Sequence, residues 1–194
     1  MTRWYRLVTN DNAVANPLVT DEGDLDGLEE WMFRQCKEIR SWSGNAWIGT
    51  STPANDGDPD DNLQNHFALL VFSPRLKTAL EDAGIGEVQY LPINVVRPGD
   101  RRVAGYSVAN LLSSVAALDF EHSVFTRYPE DYFLRERRGQ LEMLRNVTLR
   151  SSALRGHNII RLHEFRSKVF VSERFAAVVN GRFTGLSFKE VALS

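Results

Sequence analysis

The sequence predicts an α+β protein with a mostly antiparallel curved sheet and short helices packed on it. Three observations lead there. Short runs of branched and aromatic residues recur along the 194 residues, separated by turn-forming Gly, Pro, Asn and Asp. Two of the helical stretches are short, open on a serine and close on Gly84 or on Asn180-Gly181. Arg97-Pro-Gly-Asp-Arg101 has hairpin-turn chemistry between two apolar runs.

Trp4 to Thr9 is rich in aromatic and branched residues and reads as the first strand. Asp24 is placed to cap a helix, because Leu25, Leu28, Met32, Cys36 and Ile39 recur at three- and four-residue spacing. An aromatic corner, Trp42 to Trp47, leads into a short strand around Trp47 to Thr50. Ser51 to Asn65 holds two prolines, four aspartates and three asparagines, too little apolar surface for a core, and reads as an exposed loop.

Phe67 to Phe72 is a continuous apolar run suited to an interior strand. Ser73-Pro74 places a capping hydroxyl before a proline at the first helical position, and Leu76, Ala79, Leu80 and Ala83 form an apolar stripe. Glu87 to Val96 reads as a strand, with Val103 to about Leu112 returning as its partner. Tyr128 to Arg138 is charged and aromatic and suggests a helix start. Asn146 to Arg150, Asn158 to His163, Lys168 to Val171 and Leu186 to Val191 read as strands, and Ser172 caps a helix from Glu173 to Val179. The segments around Ser73 and Ser172 share one pattern: strand, Ser cap, any residue, Arg (Arg75 or Arg174), apolar residue, helix, Gly, strand. Any capped strand-helix step produces such a pattern; so does an internally duplicated unit.

The composition, 43% hydrophobic and 25% charged, is that of an ordinary globular protein, and at this length a core needs no disulfide or metal to hold it. The single cysteine, Cys36, excludes a disulfide framework and a Cys-rich zinc site, and no apolar run is long enough to span a bilayer. With no signal-peptide pattern at the amino end, a cytoplasmic location is expected. The net charge of -2 is a cancellation: residues 1 to 65 carry five basic and twelve acidic side chains, the remainder 18 basic and 13 acidic. One domain over 1–194 is expected, with an acidic N-terminal lobe (1–65, exposed loop 51–65) and a sheet-rich core (66–194).

No motif carries a specific chemistry. The cluster Asp56, Asp58, Asp60 and Asp61 has the alternating oxygens of a calcium loop, but Asp61 stands where that loop needs glycine and Phe67 where it needs a bidentate glutamate. His66, His122, His157 and His163 form no metal-ligand pair. Acid-base residues beside guanidinium groups, His157, Arg161 and His163 with Glu164, would suit a small nucleic-acid-acting enzyme; a half-buried strand explains the same residues and is preferred. His122 and Ser123 are adjacent on a strand-like run, so they would point to opposite faces rather than pair. Residues 135 to 174 hold ten basic against four acidic residues, spread over several strands and turns; a solvated surface or pairing with the acidic front is preferred, and an RNA-binding module using the Arg/His-rich region 150–166 is a further alternative.

From Asp61 onward the sequence resembles a bacterial immunity-protein family, often called immunity protein eleven, whose members are encoded beside polymorphic toxins. The resemblance is carried by Asp61-Asn-Leu, Phe72-Ser-Pro-Arg-Leu, Val88-Gln-Tyr-Leu-Pro92-Ile, Tyr106-Ser-Val-Ala-Asn110 and Leu118-Asp119-Phe-Glu-His-Ser123, then by Ile160-Arg-Leu162, Val171-Ser-Glu-Arg and Gly185-Leu-Ser-Phe188, in the family's order. It implies a non-catalytic protein with no cofactor or metal, which binds and neutralises a cognate toxin encoded nearby, contacts no membrane and binds no nucleic acid directly. If that toxin acts on nucleic acid, its basic cleft would meet an acidic surface. Asp56, Asp58, Asp60 and Asp61, with Asp21, Glu22 and Asp24 as a second patch, are therefore expected at the partner interface.

Overall fold

The computed structural model describes residues 2–9, 22–49, 59–97, 101–103 and 105–194. In chain order the strands begin with β1 (Trp4–Thr9), β2 (Glu22–Asp24), β3 (Trp47–Gly49) and β4 (Val71–Phe72). Helix α1 (Pro74–Asp82) leads to β5 (Val88–Pro92), β6 (Asn94–Arg97), β7 (Arg101–Val103), β8 (Ser107–Leu111) and β9 (Ser114–Val115). Then come β10 (Val124–Arg127), β11 (Leu141–Asn146), β12 (Thr148–Leu149), β13 (Ile159–Leu162) and β14 (Val169–Ser172), followed by α2 (Glu173–Val179) and β15 (Leu186–Leu193).

A six-stranded sheet has the order β12-β15-β1-β14-β13-β9, and smaller sheets have the orders β2-β3-β6-β7, β4-β8-β5 and β10-β11. Most pairings are antiparallel; β12 with β15, β9 with β13 and β3 with β6 are parallel. The expected α+β class with mostly antiparallel strands thus takes the form of several mixed open sheets. Strands β8, β13 and β14 are buried on both faces, so each reads as a run without alternation. Phe72, Phe170 and Phe175 are fully buried, each worth roughly 1.5–3 kcal/mol of transfer free energy.

Both capped helices form as expected, Ser73 Oγ accepting from Leu76 N (3.2 Å) and Ser172 Oγ from Phe175 N (3.3 Å). They also share a topology. Strands β4 and β5, joined by α1, flank β8, which runs antiparallel to both; β14 and β15, joined by α2, flank β1 in the same way. Each capping serine is tied back to an Asx residue upstream. Ser73 N donates to Asp61 O (2.8 Å) and its hydroxyl to Asp61 Oδ1 (2.6 Å); Ser172 N donates to Asn158 O (2.9 Å) and its hydroxyl to Asn158 Oδ1 (3.1 Å).

The two units brace each other through those Asx residues. Asp61 Oδ2 accepts from Thr184 N (2.9 Å), on the loop after α2, while Asn158 N donates to Glu87 Oε2 (2.9 Å), on the loop after α1. The Arg174 guanidinium donates to the Ala83 carbonyl at the end of α1. Gly185 follows Thr184 with φ +80, and a Cβ there would lie 2.3 Å from Asn62 O, so only glycine lets the loop come this close.

Four expectations are corrected. The stretch Leu25 to Ile39 is not an α-helix: a single 3₁₀ turn, Glu30–Arg34, stands within it. Asp26 (φ 59), Gly27 (φ 74) and Cys36 (φ 56) are left-handed. The backbone beyond forms neither helix nor strand: Gln89 exchanges hydrogen bonds with Ile39 N and O (3.0 and 2.9 Å) and Asn110 Nδ2 donates to Lys37 O (2.9 Å). The apolar run from Phe67 gives a strand only at Val71–Phe72, because Asn65 bonds Leu63 O and both backbone groups of Leu69. Glu87 to Val96 splits between two sheets at Ile93: its N–H still donates to Tyr106 O (3.1 Å) before β8, whereas Asn94 N donates to Ala46 O (2.9 Å) before β3. Tyr128 to Arg138 holds only a 3₁₀ turn, Arg135–Arg137.

The Asp61 carboxylate is almost fully buried and accepts from Ser73, Thr184 and Arg75, whereas the Arg75 side chain is 63% exposed. Asp61→Ala is expected to cost about 2–4 kcal/mol in chemical denaturation, because it strands the buried Ser73 hydroxyl and Thr184 amide. Arg75→Ala is expected to cost less, about 1–2 kcal/mol, because the carboxylate keeps its bonds to Ser73 and Thr184.

Candidate functional site

Of the expected acidic interface, Asp21, Asp56 and Asp58 lie outside the described residues. Glu22 and Asp24 are exposed on β2, which among the described residues pairs with β3 alone, and two-residue spacing puts their side chains on one face. Asp24 Oδ1 also accepts from Gly27 N (3.3 Å). Asp60 is half-buried, its carbonyl accepting from the Tyr106 hydroxyl at 2.8 Å. Asp61 is a correction: its carboxylate is consumed by the scaffold and offers no free charge to a partner.

The residues of the enzymatic alternative do not form one constellation. His157 Nδ1 pairs with Glu87 Oε1 (2.9 Å) and lines a cleft with Trp4, Ser151 and Arg155. His163 lies on the turn between β13 and β14, beside Arg166, and lines a different cleft. Arg161 is 4% exposed, donates to Arg166 O (2.8 Å), and burial pushes its guanidinium down to about 10. Rather than half-buried, β13 is covered on both faces: Ile159 joins one core cluster, Ile160 and Leu162 another. His122 and Ser123 do diverge, His122 Nδ1 meeting Asp119 Oδ2 (2.8 Å) and Ser123 Oγ accepting from Thr148 N (3.0 Å). Among the described residues no cluster of His, Cys, Asp or Glu is placed to hold a metal ion, and no helix is long and apolar enough to cross a membrane.

Sequence reasoning missed an exposed apolar surface, an arm built on the antiparallel pair β10-β11. Leu141 and Leu144 bury its inner side in the core shared with Trp4, Leu149 and Phe170. Its outer side presents Val124, Met143 and Phe133, the last 75% exposed. At its tip Tyr128, Tyr132 and Phe133 stack in series with ring centroids 4.6 Å apart at each step. Arg137 lies over Tyr128 (5.7 Å), and Arg127 over Phe120 and Phe125 (5.4 and 5.3 Å). Residues 120–145 hold five Arg, five aromatics and no Lys, the composition enriched at protein interfaces. That composition was the available signal.

A family model described as "Immunity protein family (Imm11)" matches residues 10–193. No curated protein sequence matches the chain.

Asp119 closes the turn after Leu118 by accepting from the amides of Glu121 (2.9 Å) and His122 (3.2 Å). A side-chain hydrogen bond with Ser194, followed by that with His122, holds its carboxyl down at about 2. Since folding lowers this value, the ionised form favours the folded state; the contribution is full above the ordinary carboxylate range and is lost as pH falls from about 4 to about 2. Carbon-detected NMR titration should place the Asp119 midpoint near that lower limit, and Ser194→Ala should raise it.

Proposed function

From the chain's membership of the Imm11 immunity protein family, we propose that it binds a cognate bacterial toxin encoded nearby and neutralises it in a tight, non-catalytic, one-to-one complex. The observation that carries the reading is the extent of the family match, residues 10–193. It acts in the cytoplasm of the producing cell, within a polymorphic toxin system, against an effector that attacks nucleic acid. The non-catalytic reading is supported by the placement of His157 and His163 in different clefts and by the burial of Arg161.

The acidic residues retain a role in this proposal, without Asp61. Asp21, Glu22 and Asp24 with Asp56, Asp58 and Asp60 steer a basic toxin surface toward the chain, a long-range effect that acts on association rate. The common plan of the two strand-helix-strand units supports reading them as a duplicated unit, whose mutual bracing presents a stiff surface to the partner.

The test mixes the purified chain with the product of the adjacent reading frame and follows toxin activity against added chain. Inhibition should be complete at one equivalent, with no turnover. An enzyme would instead act at substoichiometric amounts and lose its effect with His163→Ala. Replacing Asp56, Asp58 and Asp60 by Lys should slow association at least about 10-fold at low salt, with the difference shrinking as salt is raised. Unchanged association would remove the acidic loop from the interface.

A further inference from the structure

A cleft of about 900 Å³ opens between the arm, the turn joining β13 to β14, and the 3₁₀ turn Glu30–Arg34. Its cationic lining is Arg34, Arg127, Arg138 and Arg166, drawn from those three separate segments, with His163 beside them. Arg34 has a carboxylate partner, Glu30 at 3.5 Å. Among the described residues Arg127, Arg138 and Arg166 have no carboxylate within 4.0 Å. Two of these guanidinium groups are instead positioned by neutral carbonyls: Arg127 donates to Gly139 O (2.6 Å) and Arg138 to Tyr132 O (2.7 Å), which leaves their charge uncompensated. Arg161, buried and bonded to the backbone of Arg166, adds a further cation behind the wall.

Two features bear on what would fill such a site. Glu164 also lines the cleft, and its Oε2 is buried with no hydrogen-bond partner. A phosphate offers that oxygen nothing but repulsion, whereas a peptide brings backbone N–H donors along with its carboxylates. The arm itself is electrically neutral, residues 120–145 holding five basic and five acidic side chains. A nucleic-acid backbone needs an extended positive field, and this surface supplies only a local one. The adjoining stack of Tyr128, Tyr132 and Phe133 is tied to the cleft by the bond from Arg138 to Tyr132, so its rings are ordered before any partner arrives.

We propose that this cleft receives an acidic peptide segment of the protein partner, its carboxylates meeting Arg127, Arg138 and Arg166 while the exposed Phe133 anchors an apolar group beside them. The proposal rests on the reading of the chain as a toxin-binding immunity protein. It adds a second docking site of opposite sign to the acidic patch. The partner would offer a basic surface to the acidic residues and an acidic, apolar-flanked segment to the cleft.

The experiment measures binding of the adjacent reading frame's product to the wild-type chain, to the double variant Arg138→Glu with Arg166→Glu, and to Phe133→Ala. A single-stranded RNA of about 20 nucleotides serves as a second probe. The charge reversals should weaken partner binding on the order of 100-fold and Phe133→Ala on the order of 10-fold, with melting temperatures held near wild type. Phe133 is 75% exposed, so its truncation leaves the fold intact and the result readable even if the double variant is destabilised. Partner binding by both variants equal to that of wild type would overturn the cleft proposal alone. RNA binding that is lost in the double variant while partner binding stays would also overturn it, marking the cleft as a nucleic-acid site. No binding of the partner by the wild-type chain would overturn the immunity reading, and this inference with it.

Discussion

The buried carboxylate of Asp61 is the point on which the two halves of the scaffold meet. It accepts from the serine that caps α1, from the guanidinium of Arg75, the second residue of that helix, and from the amide of Thr184 on the loop after α2. The neighbouring Asn62 completes the seam, its Nδ2 donating to Gly185 O (3.0 Å) and its Oδ1 accepting from Val71 N (3.2 Å). An ionised carboxylate can be buried at tolerable cost only if its lone pairs are filled, and filling them fixes the position of every donor. The reciprocal contact, Glu87 on Asn158 and His157, does the same on the other side with a neutral Asx residue.

That bracing separates rigid scaffold from presented surface. The β10-β11 arm hangs outside the paired units, held by Leu141 and Leu144 on one side and by the donation of the Lys168 ammonium to the Leu144 carbonyl. Its outward aromatics and arginines satisfy one another through stacking and cation-π contact. Those contacts keep the side chains ordered while leaving their outer faces open to a partner. The charge asymmetry along the chain therefore resolves into a few local features: an acidic, exposed strand β2, a carboxylate spent inside the fold, and a cleft where guanidinium groups outnumber their counter-charges.

How much of this was legible follows the range of the interactions involved. Serine caps, the Pro74 helix start, the Gly84 stop and the strands around β13, β14 and β15 were readable because each is set by residues a few positions apart. The Leu25 to Ile39 periodicity misled because Gln89 and Asn110, 50 and 73 residues from their partners Ile39 and Lys37, bond backbone groups that a helix would use. Asp61 looked like one of four loop carboxylates because nothing near it in sequence shows that Thr184, 123 residues on, closes over it. The arm escaped notice because β11 buries Leu141 and Leu144, a three-residue spacing that reads as helical, and irregularities in its pairing with β10 break the strand alternation.

By itself the sequence determined the α+β class, the two capped helices with their flanking strands, the absence of disulfide or Cys-rich chemistry, and the family resemblance in its ordered fragments. These depend on local backbone preferences and on residue identity, which need no partner from afar. Tertiary structure alone decided which charges are free to act. Whether a carboxylate faces water or a capped helix, and whether an arginine meets an acid or a carbonyl, is settled by side chains brought together across the whole chain, because desolvation and hydrogen bonding act through space rather than along the sequence.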